Sequence, residues 1–181
     1  MRKWNAILSG LILVLFLFHA IAGSLGLMSM NSGGGIFLSV LPWILVGCIA
    51  LHTLIGIKLT IDTLRACRKS GVSYFKENKL FWARRISGFA IFLLMFFHII
   101  LFKGHNAGGA YRLNFFGAAQ LTTQIFLVLS IAVHVLTNVK PSLIAFGRKS
   151  LKKYALDILI ALSILFIFMG IAFFIYYSRW Q

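Results

Sequence analysis

Residues 86–102, ISGFAIFLLMFFHIILF, decide the fold. The stretch has no charged side chain, and its one strongly polar group is the imidazole of His98. A helix that crosses a hydrocarbon core of ~30 Å needs roughly 20 predominantly apolar residues. Four other runs meet the same requirement, near Trp4–Ala22, Ile36–Ile57, Ala118–Val139 and Tyr154–Tyr177. Period-two alternation is absent, which argues against a membrane β-barrel. The 181 residues are 60% hydrophobic and include three acidic side chains, Asp62, Glu77 and Asp157. That composition is too apolar for a soluble domain of this size. The expected fold is therefore an all-α integral membrane protein, one domain over residues 1–181 with five transmembrane helices.

The formal charge of +15 is distributed unevenly. Arg2 and Lys3 precede the first run. Lys58, Arg65, Arg68, Lys69, Lys76, Lys79, Arg84 and Arg85 separate the second from the third. Lys140, Arg148, Lys149, Lys152 and Lys153 separate the fourth from the fifth. Only Lys103, Arg112 and Arg179 fall on the opposite side. The positive-inside rule then predicts a cytoplasmic N-terminus and an external C-terminus, in a multi-pass protein of the cytoplasmic membrane. Bases placed this way point to topology and contact with anionic lipid, not to nucleic acid. The basic start, apolar run and Ala20-Ile21-Ala22 also have the pattern of a secretory signal, read here as a retained membrane helix. Cys48 lies within an apolar run and Cys67 in a polar segment, so no disulfide is expected. Neither belongs to a C-x-x-C-H motif, which excludes covalent haem attachment.

The connections read simply. Gly23–Gly35, ending in Gly33-Gly34-Gly35, is a flexible surface link. Pro42 and Trp43 are expected to open the second helix, and Pro141 to end the fourth. Ile57, Ile61, Leu64 and Arg65 carry a helical stripe beyond the second span. Residues 103–120, with Gly104, His105, Gly108 and Gly109, read as an external loop.

Each of the first four runs holds one histidine: His19, His52, His98 and His134. At ~1.5 Å per residue, His19 lies roughly 22 Å and His98 roughly 18 Å above the cytoplasmic starts of their helices. The second and fourth helices run the other way, which puts His52 and His134 about 6–8 Å from the inner face. The histidines thus form an outer pair, His19 with His98, and an inner pair, His52 with His134, in layers roughly 10–16 Å apart. One intramembrane histidine is as well explained by a hydrogen bond to a neighbouring helix. Four of them, one per helix and matched in depth, point to two metal centres. Neutral imidazole is a strong axial ligand of haem iron. With both axial positions filled, such a haem carries electrons and does no other chemistry. Thr53, Ser130 and Thr137 are candidates to orient the ligands, and Phe16, Phe18, Phe96 and Phe97 to pack an outer haem. Lys103 and Arg112 outside, or Lys58, Arg84 and Arg85 inside, could pair with propionates. His105 reads as solvated.

Trp82-Ala83-Arg84-Arg85-Ile86-Ser87-Gly88-Phe89, followed by the apolar run to His98, resembles the R-[IV]-[ST]-G…H helix of succinate dehydrogenase and fumarate reductase cytochrome b subunits. Five helices with histidines on the first four are similar to the single-chain, dihaem branch of that family. The resemblance implies a four-helix haem-binding bundle plus a fifth helix. It implies an outer haem b on His19 and His98 and an inner haem b on His52 and His134. It also implies a cytoplasmic flavoprotein and an iron–sulfur subunit on the basic face, and a membrane quinone, menaquinone by preference. A dimer of such complexes is compatible with it. The chain would be non-catalytic alone, the electron-transfer and quinone-reactive subunit of an oxidoreductase. Arg85 and Ser87 match positions near a cytoplasmic-side quinone in related subunits. One departure concerns protons. Some dihaem members place an acidic residue near the outer haem, whereas all three acids here lie on the cytoplasmic side. His105, Tyr111 or water are the substitutes, or the quinone reacts elsewhere.

Two alternatives remain at this point. The cytochrome b subunits of formate dehydrogenase, nitrate reductase or hydrogenase type concentrate their ligands on fewer helices. A transporter with a histidine proton relay would be expected to carry intramembrane carboxylates or broken helices, for which only Asp157 offers a hint.

Overall fold

The computed structural model describes residues 2–30, 36–71, 78–107, 110–145 and 154–180. Gly33, Gly34, Gly35, Lys76, Glu77, Gly108, Gly109, Arg148, Lys149, Lys152 and Lys153 lie outside the described residues. Five long helices follow one another: α1 (Arg2–Leu27), α2 (Ile36–Ser70), α3 (Lys79–Leu101), α4 (Ala118–Ala145) and α5 (Ala155–Arg179). All five are long and apolar enough to cross a membrane. Large apolar side chains cover their outward faces, among them Phe18, Leu54, Phe89, Phe126 and Ile167. That arrangement suits a helical transmembrane protein, because lipid, unlike water, solvates such surface.

The element ends correct several expectations. Asn78 caps α3 by accepting a hydrogen bond from the Phe81 N–H at 3.0 Å, so the helix starts seven residues before Ile86. Arg84 and Arg85 therefore sit on α3 and not in the preceding connection. The 35 residues of α2 span about 52 Å, well beyond a core of ~30 Å. The stripe of Ile57, Ile61 and Leu64 runs along this extension and is exposed. Pro42 does not open α2; it lies inside it. Pro141 does not end α4, which continues to Ala145. Membrane helices tolerate internal proline where another group satisfies the freed carbonyl. At Pro141 that carbonyl belongs to Thr137, one turn earlier, and Arg84 Nε donates to it at 3.1 Å.

The loop after α3 is also more ordered than expected. Gly104–Ala107 (β1) and Ala110–Leu113 (β2) form an antiparallel ribbon with His105 opposite Arg112 and Ala107 opposite Ala110. It is fastened to α5 where the Leu113 N–H donates to Tyr176 Oη at 2.7 Å, a buried bond.

α1 packs on α2, α3 on α4, and α5 on both α1 and α4. The core is centred on α5. Leu162, Phe166, Met169, Phe173 and Tyr176 are buried at intervals of three and four residues, which forms one helical stripe. Ala20 and Leu27 of α1, Val128 and Val139 of α4, and Leu113 and Phe116 complete the cluster. The histidine-free fifth helix thus joins the α1–α2 pair to the α3–α4 pair.

Candidate functional site

The structure brings the four histidines together as two pairs. The ring centroids of His19 on α1 and His98 on α3 are 6.0 Å apart, with planes at 79°. Those of His52 on α2 and His134 on α4 are 6.3 Å apart, with planes at 90°. Neither α1 with α3 nor α2 with α4 is a closely packed helix pair. The imidazoles therefore meet across the space between the two helix pairs.

Spacing alone also fits an edge-to-face ring contact. The hydrogen bonds of the rings are more informative. His98 Nδ1 lies 2.8 Å from Gln124 Oε1. His134 Nδ1 lies 3.1 Å from the carbonyl oxygen of Arg84. Both partners are acceptors, so each Nδ1 carries the proton and each Nε2 keeps its lone pair. His52 Nδ1 has a longer contact, 3.5 Å, with Ser9 Oγ. The Ser9 hydroxyl is already donated to the Asn5 carbonyl at 2.7 Å, so it offers His52 a lone pair as well. In three of the four rings the nitrogen left bare is Nε2. Orientation of this kind, with one ring N–H held by a carbonyl or hydroxyl, accompanies metal-ligating histidine.

Local packing on α3 shapes the second pair. Gly88 faces the His134 ring so closely that a Cβ there would stand 3.2 Å from Cε1 and 3.3 Å from Nδ1. Ser87 is buried. Its hydroxyl donates to the Arg84 carbonyl at 3.2 Å and lies 3.3 Å from His134 Nδ1. Arg85 places its guanidinium over the Phe81 ring, 4.9 Å from the centroid. Within one five-residue stretch, Arg84, Ser87 and Gly88 thus cradle His134 with a carbonyl, a hydroxyl and a missing side chain.

Other expected residues lie elsewhere or act differently. Thr53 bonds back to the Ile49 carbonyl and Thr137 to the Val133 and His134 carbonyls, backbone groups of their own helices and not imidazole nitrogens. Ser130 is half-buried on α4. Phe18, Phe96 and Phe97 are exposed, and Phe16 packs on Phe166 of α5. The aromatic ring against His98 is Phe102, 4.3 Å between centroids, and it leads through Phe173 to Phe116 and Tyr176. His105 is exposed in β1 with Nδ1 3.1 Å from Asn114 Oδ1. Arg112 stacks over Trp180. Lys58 and Lys103 are exposed. Cys48 and Cys67 are free thiols, as expected.

Among the described residues, no three or more His, Cys, Asp or Glu side chains gather into a metal-binding group. Each pair therefore offers two protein ligands. Zinc sites take three or four. A planar macrocycle supplies its own equatorial donors and requires two axial ones. Two opposed imidazoles bound at ~2.0–2.1 Å through nitrogen would put the ring centroids about 6 Å apart, and both pairs have that spacing. The donor sets fit haem.

Gln124 escaped the sequence reading, although depth arithmetic reaches it. It lies ten residues before His134 on α4, about 15 Å along the helix, and so at the level of the other pair. No protein-family profile, curated protein or solved structure matches this chain.

Proposed function

We propose that this protein is a dihaem cytochrome b membrane anchor of the succinate dehydrogenase and fumarate reductase type. It carries electrons between a membrane quinone, menaquinone by preference, and a cytoplasmic flavoprotein with its iron–sulfur subunit. The observation that carries this reading is the pairing of imidazoles at 6.0 and 6.3 Å with Nδ1 turned to acceptors. A bound haem supplies a one-electron iron couple. The chain holds His19 and His98 for the outer centre and His52 and His134 for the inner one. It surrounds both with apolar helix, and the Nδ1 contacts of His52, His98 and His134 leave Nε2 of those rings free to ligate. The basic connections put the N-terminus in the cytoplasm and the C-terminus outside. They also present a cationic face to the soluble subunits.

A histidine relay is less well supported. Passing a proton between paired rings needs a donor nitrogen on one ring and an acceptor on the other. In the His52–His134 pair the Nδ1 contacts leave an acceptor nitrogen on each ring.

Purified protein assayed as the pyridine haemochrome should give two haems b per chain. His52→Leu or His134→Leu should remove one haem and spare the other, and His19→Leu or His98→Leu should do the converse. Folded, colourless wild-type protein would sink the proposal.

A further inference from the structure

We infer that Gln124 is the positioning residue that sets the electron affinity of the outer centre, acting through His98. The inference rests on the dihaem reading. Gln124 is fully buried, at 0% exposure, on the same helix as the buried Leu127 and Val128. A buried amide is costly unless both ends are bonded, and here both ends are used. Thr123 donates its hydroxyl to the Gln120 carbonyl at 2.7 Å. The same hydroxyl oxygen accepts from Gln124 Nε2 at 3.3 Å. This fixes the sense of the amide, with Oε1 turned to His98 Nδ1 at 2.8 Å.

An acceptor on Nδ1–H makes the imidazole a stronger donor to a metal at Nε2 and favours the oxidised state. The inner pair is arranged differently. His134 Nδ1 is held by the backbone carbonyl of Arg84, which no substitution removes, and His52 has only the long contact to Ser9. A side-chain amide therefore tunes the outer centre, whereas the inner one has a backbone carbonyl on His134 with the Ser87 and Ser9 hydroxyls at longer range. The two centres acquire different potentials from unlike partners on the same type of ligand. The competing role for Gln124 is a simple polar link between α3 and α4, and such a link would not move a potential selectively.

The test is potentiometry with electron paramagnetic resonance on the purified protein. Each signal is assigned by its loss in His52→Leu or His19→Leu. Gln124→Met keeps the volume and removes the acceptor. It should shift the outer oxidised-to-reduced equilibrium at least tenfold toward reduced, about 59 mV for one electron, with the inner centre unmoved. Gln124→Glu restores an acceptor oxygen and should return the outer potential to the wild-type value or below. Thr123→Val leaves the amide unoriented and should alter the g-values of the outer signal alone. An outer potential unmoved in Gln124→Met, a common shift of both centres, or a rise in Gln124→Glu would overturn the inference. If Gln124→Met fails to fold, an outer signal in Thr123→Val identical to wild type does so. Wild-type protein without two haems would defeat the dihaem reading itself, a different result.

Discussion

Gly88 shows how much of the His52–His134 site depends on a single absent carbon. A Cβ 3.2 Å from His134 Cε1 is tighter than ordinary van der Waals contact, and the ring is held from behind by the Arg84 carbonyl. Gly88→Ala should therefore press the ring off its position, at a cost of about 1–3 kcal/mol typical of overpacking. On the dihaem proposal, the expected outcome is a lowered occupancy of the inner haem with the outer one retained. Spectra of the purified variant, with haem counted per chain, check this. Equal loss of both haems would show that the effect is general misfolding. The pairing of the four histidines was legible in the sequence because helix rise converts residue number into depth, whereas the Arg84–Gly88 segment stood out only through the resemblance of its motif, which pointed to a quinone and not to His134. The partners of the rings were harder to read. Thr53 and Thr137 had suitable chemistry and the right neighbourhood, but their hydroxyls reach their own helix carbonyls first. Backbone acceptors such as the Arg84 carbonyl have no residue-type signature at all.

At the scale of elements, the prolines and the ribbon were misread for physical reasons. Proline ends a soluble helix because a freed carbonyl has no other partner nearby. Here Arg84 reaches across from α3 and supplies one, so α4 passes through Pro141 to Ala145. The ribbon has strands of four residues without apolar alternation. Its only local signal was the Gly-Gly dipeptide between them in sequence, a pair favoured in two-residue hairpins. The proline argument makes a coupled prediction. Arg84→Met should leave the Thr137 carbonyl unpaired and destabilise the α3–α4 pair by about 1–3 kcal/mol. Pro141→Ala restores an N–H one turn from Thr137 and should offset most of that loss. Thermal unfolding of the two single variants and the double variant in detergent measures the coupling. Strictly additive effects would show that Arg84 does not stand in for the missing helical bond.

For the molecule as a whole, the decisive element is the one without a histidine. Each pair takes one ring from the α1–α2 half and one from the α3–α4 half, and α5 is the helix packed against both. Hydropathy alone could identify α5 as a span but not as the hub, because a helix apolar all round shows no preferred face. Its burial stripe emerges only once the ribbon, α1 and α4 are placed around it. A register error between the halves should therefore disturb both histidine pairs at once. Phe166 packs on Phe16 of α1 and belongs to the core that includes Val128 and Val139 of α4. Phe166→Ala should cost about 3–5 kcal/mol and, on the dihaem proposal, lower the content of both haems in parallel. Gly88→Ala and Gln124→Met, in contrast, each act on a single centre. Haem content and both reduction midpoints, measured in the three variants side by side, separate these cases. Loss of one haem alone in Phe166→Ala would mean that the two halves are aligned by contacts other than α5.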